Sequence, residues 1–281
     1  MRVSVNQRTD ASLPKRVSFS QMSLYEQCGL KFFFSYIDNW QEPPTAALVG
    51  GNIAHLVLEN LYRLAPQERT METAIELLRK VGADYLARPD YRSFAEDNNM
   101  KKSVREAVEN IFKVEQPQQV DVKPEHLEMN LRVEINGVEF TGQVDRFTQG
   151  QSNRVSDYKT GKSPGRFLEG KFVQPFLYAR AFREQHDIDV HEVELIFLNS
   201  QKSFIRPVEE SALEEAGNRL ATMRQGCESD FQASEWQAQP DRLCDYCVFQ
   251  RICPAFNTDA PTPGSEQATV QLTQIGLIHK V

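Results

Sequence analysis

The sequence has no apolar run approaching the length of a membrane span. Its opening residues include Arg2, Arg8, Asp10, Lys15 and Arg16 where a secretory signal would place an apolar core. No membrane association is expected, and a cytoplasmic protein is. No Gly-x4-Gly-Lys-Ser/Thr occurs, so the chain carries no phosphate loop with which to drive a motor by ATP hydrolysis. Internal repeats and low-complexity tracts are also missing. Positive charge is in deficit: 32 Lys+Arg stand against 39 Asp+Glu, a net charge of -7. That balance argues only weakly against a nucleic-acid partner, which needs a local basic patch rather than a basic total. Lys101, Lys102, Arg242 and Arg251 are scattered and mark no path. Cysteine is scarce, with five in 281 residues, and in a reducing compartment these read as metal ligands before disulfides.

What is present is enough for one large domain or two modest ones. Residues 1–17 are polar and aperiodic, and are expected to form a flexible leader. Residues 18–36 read as helical, with Ser23 and Glu26 at capping-box spacing. A helix over 46–64 is apolar nearly all round, which implies burial, and it carries His55 and Glu59 one turn apart. Helices over 71–87 and 101–115 complete a helical section spanning about 65–120. From Leu127 the period becomes alternating, with Asn136-Gly137 as a strong hairpin signal. A core over about 121–226 then holds strands, a helix over 173–185, strands over 193–199 and 203–208, and a helix over 211–226. Residues 257–281 form a tail of no readable role. Helix, sheet, helix around one hairpin predicts a single α/β core with a helical insertion, in one domain over 18–256.

That hairpin organises the chain. Gly142-Gln143-Val144-Asp145-Arg146 and Val155-Ser156-Asp157-Tyr158-Lys159-Thr160-Gly161 flank the polar loop 149–153. If the turn is symmetric about Gln151, Asp145 lies opposite Asp157, and alternation puts Lys159 on the same face. Two carboxylates across a ladder repel, and a bound divalent cation would reverse the penalty. A surface ladder of ion pairs, with Lys159 screening both acids, is the plainer alternative. His55 alone reads equally as a hydrogen-bonded core histidine, although Glu59 on the same buried helix needs a partner. Gln174 and Tyr178, one turn apart, read by themselves as capping and packing.

In order along the chain, Gly51-x3-His55, Gly-x-Val-Asp145-Arg146, Asp157-Tyr-Lys159-Thr-Gly and Gln174-x3-Tyr178 resemble the PD-(D/E)XK nuclease superfamily, and more narrowly its RecB-type exonucleases. Ser18-x-Ser20-x2-Ser23-x-Tyr25-x2-Cys28, with Cys244-x2-Cys247-x5-Cys253, resembles the iron–sulfur subset, which includes the AddB nuclease domain and stand-alone CRISPR-associated exonucleases. Gly29 departs from the proline that relatives often carry after the first cysteine.

The resemblance implies a restriction-endonuclease-like core, a central mixed sheet flanked by helices, with a C-terminal iron–sulfur region closing onto Cys28. It implies that His55, Asp145, Asp157 and the backbone carbonyl of Tyr158 bind Mg2+ or Mn2+. Glu59 reaches a second metal or only water. Lys159 positions or activates the attacking water, and Gln174 and Tyr178 support the site or touch DNA. Cys28, Cys244, Cys247 and Cys253 would hold a [4Fe–4S] cluster, structural rather than redox-sensing. By ligand type alone, zinc fits as well. Cys227 stands apart as a packing residue. The implied activity is exonucleolytic, on single-stranded DNA ends, in recombination, repair or DNA processing. A structure-specific endonuclease, a trimming subunit of a complex and a non-catalytic DNA-binding scaffold are the rivals. Protein partners and self-association are left open.

Overall fold

The alternating pattern after Leu127 folds as expected into a hairpin, and the elements that hold the site are built around it. The computed structural model describes residues 1–280; Val281, the last residue of the expected tail, lies outside them. In chain order the strands are β1 (Arg2–Ser4), β2 (Val17–Ser18), β3 (Trp40–Gln41), β4 (Leu127–Ile135), β5 (Val138–Thr148), β6 (Arg154–Lys159), β7 (Glu192–Phe197), β8 (Lys202–Pro207), β9 (Glu235–Gln237) and β10 (Ile278–His279). The helices are α1 (Phe19–Gln27), α2 (Gly29–Phe32), α3 (Ala46–Arg63), α4 (Met71–Leu86), α5 (Asn98–Val114), α6 (Val173–His186), α7 (Glu210–Ala233) and α8 (Glu266–Gln274). Together they make an α/β fold with a mixed sheet flanked by helices. The chain divides into two compact units where one domain was expected.

The larger unit spans residues 44–133 and 142–217. Its sheet runs β5-β6-β7-β8, with β4 pairing β5. β5–β6 and β7–β8 are antiparallel, and β6–β7 is parallel. The turn between β4 and β5 uses left-handed backbone at both Asn136 and Gly137, the geometry a two-residue hairpin needs to match strand twist. Helices α3, α4 and α5 pack on one another through an apolar cluster that takes in Val49, Ile53, Val57, Leu61, Val104, Val108 and Ile111. Thr45, Thr70 and Asp97 cap the three N-termini through their side-chain oxygens, each worth ~1 kcal/mol. These helices are the expected helical section, and α6 packs against β6 and β7.

The smaller unit comprises residues 1–43, 134–141 and 218–281. Residues 2–4, within the expected leader, form β1, which pairs antiparallel with β9, and buried Val3 and Val5 alternate with exposed neighbours. Two expectations are corrected here. The N-cap of the first helix is Ser18, in a capping box with Gln21, not Ser23 with Glu26. The helix then breaks at Cys28, whose backbone is extended, before α2 and a short wide turn of helix over Phe33–Ile37. The tail also has structure: Ser265 caps α8, and β10 pairs with β3, where the His279 ring stacks on Trp40 at 4.6 Å.

Candidate metal centre

The β5–β6 ladder pairs Arg146 with Ser156, Phe147 with Val155 and Thr148 with Arg154. Continued by one residue, that register sets Asp145 across from Asp157, both buried. Asp145 Oδ2 accepts a 2.6 Å hydrogen bond from the backbone N–H of Tyr158. Its other oxygen, Oδ1, lies 3.2 Å from His55 Nδ1. His55 reaches it from α3, which is anchored through buried Ile53, Ala54, Val57 and Leu58.

A third donor joins these two that the sequence reading passed over. One oxygen of Glu128, on β4, lies with ligand atoms of His55 and Asp145 in a group all within 4.8 Å of one another. Among the described residues this is the one such group of three or more His, Cys, Asp or Glu. Glu128 has a left-handed backbone, φ 52°, a conformation that costs a non-glycine residue and concentrates at functional sites. Burial, and then the Asp145 carboxylate, push its carboxyl up to about 8. For His55 burial acts downward, but Asp145 outweighs it and raises the imidazole to about 9. Two carboxylates and an imidazole crowded together are a donor set that a divalent cation would satisfy.

Asp157 is differently engaged. Lys159 Nζ sits 2.7 Å from its buried Oδ2, a close ion pair. Burial raises the Asp157 carboxyl and Lys159 opposes that shift. The ammonium in turn gains more from Asp157 than it loses by burial, and its pKa is raised. Lys159 also donates to Gln174 Oε1 at 2.8 Å, and Gln174 Nε2 donates to Tyr178 OH at 2.7 Å. Gln174 and Tyr178, one turn apart on α6, therefore form a hydrogen-bonded chain with the lysine. Glu59 does not join the group. Its carboxylate faces Arg63, 2.7 Å from the guanidinium and one turn along α3, a local pair any exposed helix makes.

Comparison with known proteins gives the family of the chain. A family model described as the PD-(D/E)XK nuclease superfamily matches residues 16–254. The chain belongs to the PD-(D/E)XK nuclease superfamily. Membership makes it a nuclease, with DNA as the implied substrate and a divalent metal in its chemistry. Gene 69 protein of Mycobacterium phage L5 is 24% identical over 294 residues, spanning 88% of this chain and 99% of its own. A solved structure from Eubacterium rectale, of a protein assigned as an exonuclease, aligns with a TM-score of 0.54 at 13% identity. It covers 84% of this nuclease and 87% of its own chain, and bears on the fold alone. No helix among the described residues is long and apolar enough to cross a membrane.

In the smaller unit, Cys28, Cys244, Cys247 and Cys253 line one pocket, with Phe34, Phe249 and Phe256 among its walls. All four are free thiols. Burial raises Cys247 and Cys253 above the ordinary thiol range. Cys227 is elsewhere, buried with its Sγ 3.5 Å from Met223 Sδ.

Proposed function

We propose that this nuclease is an exonuclease of the RecB type that degrades DNA from single-stranded ends, with Mg2+ or Mn2+ held by His55, Glu128, Asp145, Asp157 and the Tyr158 carbonyl. The observation that carries the reading is the convergence of His55, Glu128 and Asp145 beside the Asp157–Lys159 pair. When bound, the metal supplies a nucleophile at neutral pH and stabilises charge developing on the phosphate. The chain's own residues do the rest. Asp145 is locked through Oδ2 by the Tyr158 N–H, which holds its other oxygen toward His55. Lys159, protonated and braced by Gln174, orients a water toward the scissile phosphate and offers a charge to the transition state. Tyr178 holds Gln174 in register.

Cys28 with Cys244, Cys247 and Cys253 is proposed to hold a [4Fe–4S] cluster as a structural staple. The reading is supported by the four thiols lining one pocket, since such clusters are held by four cysteine thiolates; zinc suits the same ligand type.

End-labelled linear DNA and covalently closed single-stranded circles, each incubated with Mn2+, test the exonuclease reading. Loss of linear strands with circles left whole is expected. Cutting of circles would replace it with the endonuclease reading, and no hydrolysis of either would leave a DNA-binding scaffold.

A further inference from the structure

Arg146 follows Asp145 along β5 and points to the opposite side of the sheet, where it is 2% exposed. Its guanidinium donates to both oxygens of Glu115, at 2.6 and 2.9 Å. It lies over two aromatic rings, 4.9 Å from the centroid of Tyr62 and 5.5 Å from that of Tyr158. The two rings are themselves stacked, and Tyr62 OH donates to the same Glu115 carboxylate. Tyr62 lies on α3, two turns beyond His55. Glu115 is the C-cap residue of α5, where the helix dipole disfavours a carboxylate, so its placement there is not explained by the helix. Burial would raise its carboxyl, but Arg146 wins and holds it below the ordinary range.

We propose that Arg146, clamped by Glu115, is a positioning residue for the metal centre, acting through Tyr158. The rationale rests on the nuclease reading. Tyr158 separates Asp157 from Lys159, and its backbone N–H is the group that locks Asp145. A guanidinium fixed by a bidentate carboxylate and laid on the Tyr158 ring sets the position of that backbone from behind. It also ties α3, which delivers His55, to the strands that deliver the acids. Buried pairs of this kind add little net stability compared with apolar packing, which is consistent with a role in geometry. Residues that orient ligands from the next layer out typically change metal affinity or activity by about ten- to a hundredfold when replaced.

The test is Mn2+ binding to metal-free protein by calorimetry, with thermal melts and DNA hydrolysis measured in parallel. Glu115→Gln should weaken Mn2+ binding by about tenfold or more while the chain stays folded at the assay temperature. Hydrolysis at saturating Mn2+ should stay close to wild type, so that the loss appears in metal dependence. Tyr62→Phe keeps the ring and removes only the hydroxyl bond to Glu115, and should weaken binding by roughly fivefold. It decides the matter if Glu115→Gln does not fold. Folded variants that melt lower yet bind Mn2+ as the wild type does would overturn the proposal and leave Arg146 a structural residue. Wild-type protein that binds Mn2+ but cleaves no DNA would overturn the nuclease reading instead, without touching this one.

Discussion

Asp145 and His55 are 90 residues apart in sequence and 3.2 Å apart in space, Oδ1 to Nδ1. Their contact joins the helix that the apolar pattern predicts to the hairpin that the acids mark. Asp145→Asn keeps the Tyr158 N–H bond through its amide oxygen but removes the charge that a metal needs. It should reduce DNA hydrolysis to background and abolish Mn2+ binding. The metal-free variant should stay folded but melt lower where His55 is protonated, because the imidazolium loses its partner. Unfolding of the variant, seen by circular dichroism, would instead make Asp145 a structural residue.

Glu128 makes the same argument from the other neighbouring strand. Glu128→Gln should weaken Mn2+ binding by at least about tenfold, the loss that replacing even a residue behind a ligand produces, and raise the melting temperature of the metal-free protein. Unaltered Mn2+ affinity in calorimetry would remove Glu128 from the ligand set.

How much of this was legible beforehand depended on where chain geometry is rigid. The β5–β6 hairpin was readable because its loop is symmetric about Gln151 and alternation does the rest. The same arithmetic about Asn136-Gly137 sets Glu128 across from Asp145, so the missed ligand had a signal in the register. Its left-handed backbone did not, since nothing in Leu127-Glu128-Met129 marks a strained residue. The helical section was legible from apolar periodicity, and so was the burial of α3. The break at Cys28 was not, because Phe32 and Tyr36 keep a helical interval across it. β1 was lost because three residues of alternation are too short to separate from a polar leader, and its partner β9 lies more than two hundred residues away. Glu59 was misleading: i and i+4 spacing from His55 is also i and i+4 spacing to Arg63.

Protonation gives a prediction with a definite sign. His55 is raised from 6.5 to about 9 and Glu128 from 4.5 to about 8, so the folded metal-free protein binds more protons than the unfolded chain over that window. Stability from these groups is fully present at low pH and is lost as pH rises through about 8 to 9. The melting temperature of metal-free protein should therefore fall as pH climbs from about 5 to 9, and Mn2+ should suppress the fall. Since both groups must lose a proton to bind the metal, Mn2+ affinity should climb over the same range. A metal-free melt that rises with pH would contradict this balance.

For the cysteine pocket, protein purified without oxygen should be brown and carry about four iron atoms per chain. Cys247→Ser should lose the colour and lower the melting temperature while Mn2+ binding at the other unit survives. Colourless protein containing zinc would assign the four thiols to that ion.

The central claim is that the Asp145–Asp157–Lys159 hairpin hydrolyses phosphodiester bonds with a divalent metal. Mn2+-dependent release of nucleotides from linear single-stranded DNA, compared between wild type and Lys159→Ala, tests it most directly. Release by the wild type is expected, with none in the absence of Mn2+ and none from a folded Lys159→Ala that still binds the ion. Release by that variant at the wild-type rate would contradict it.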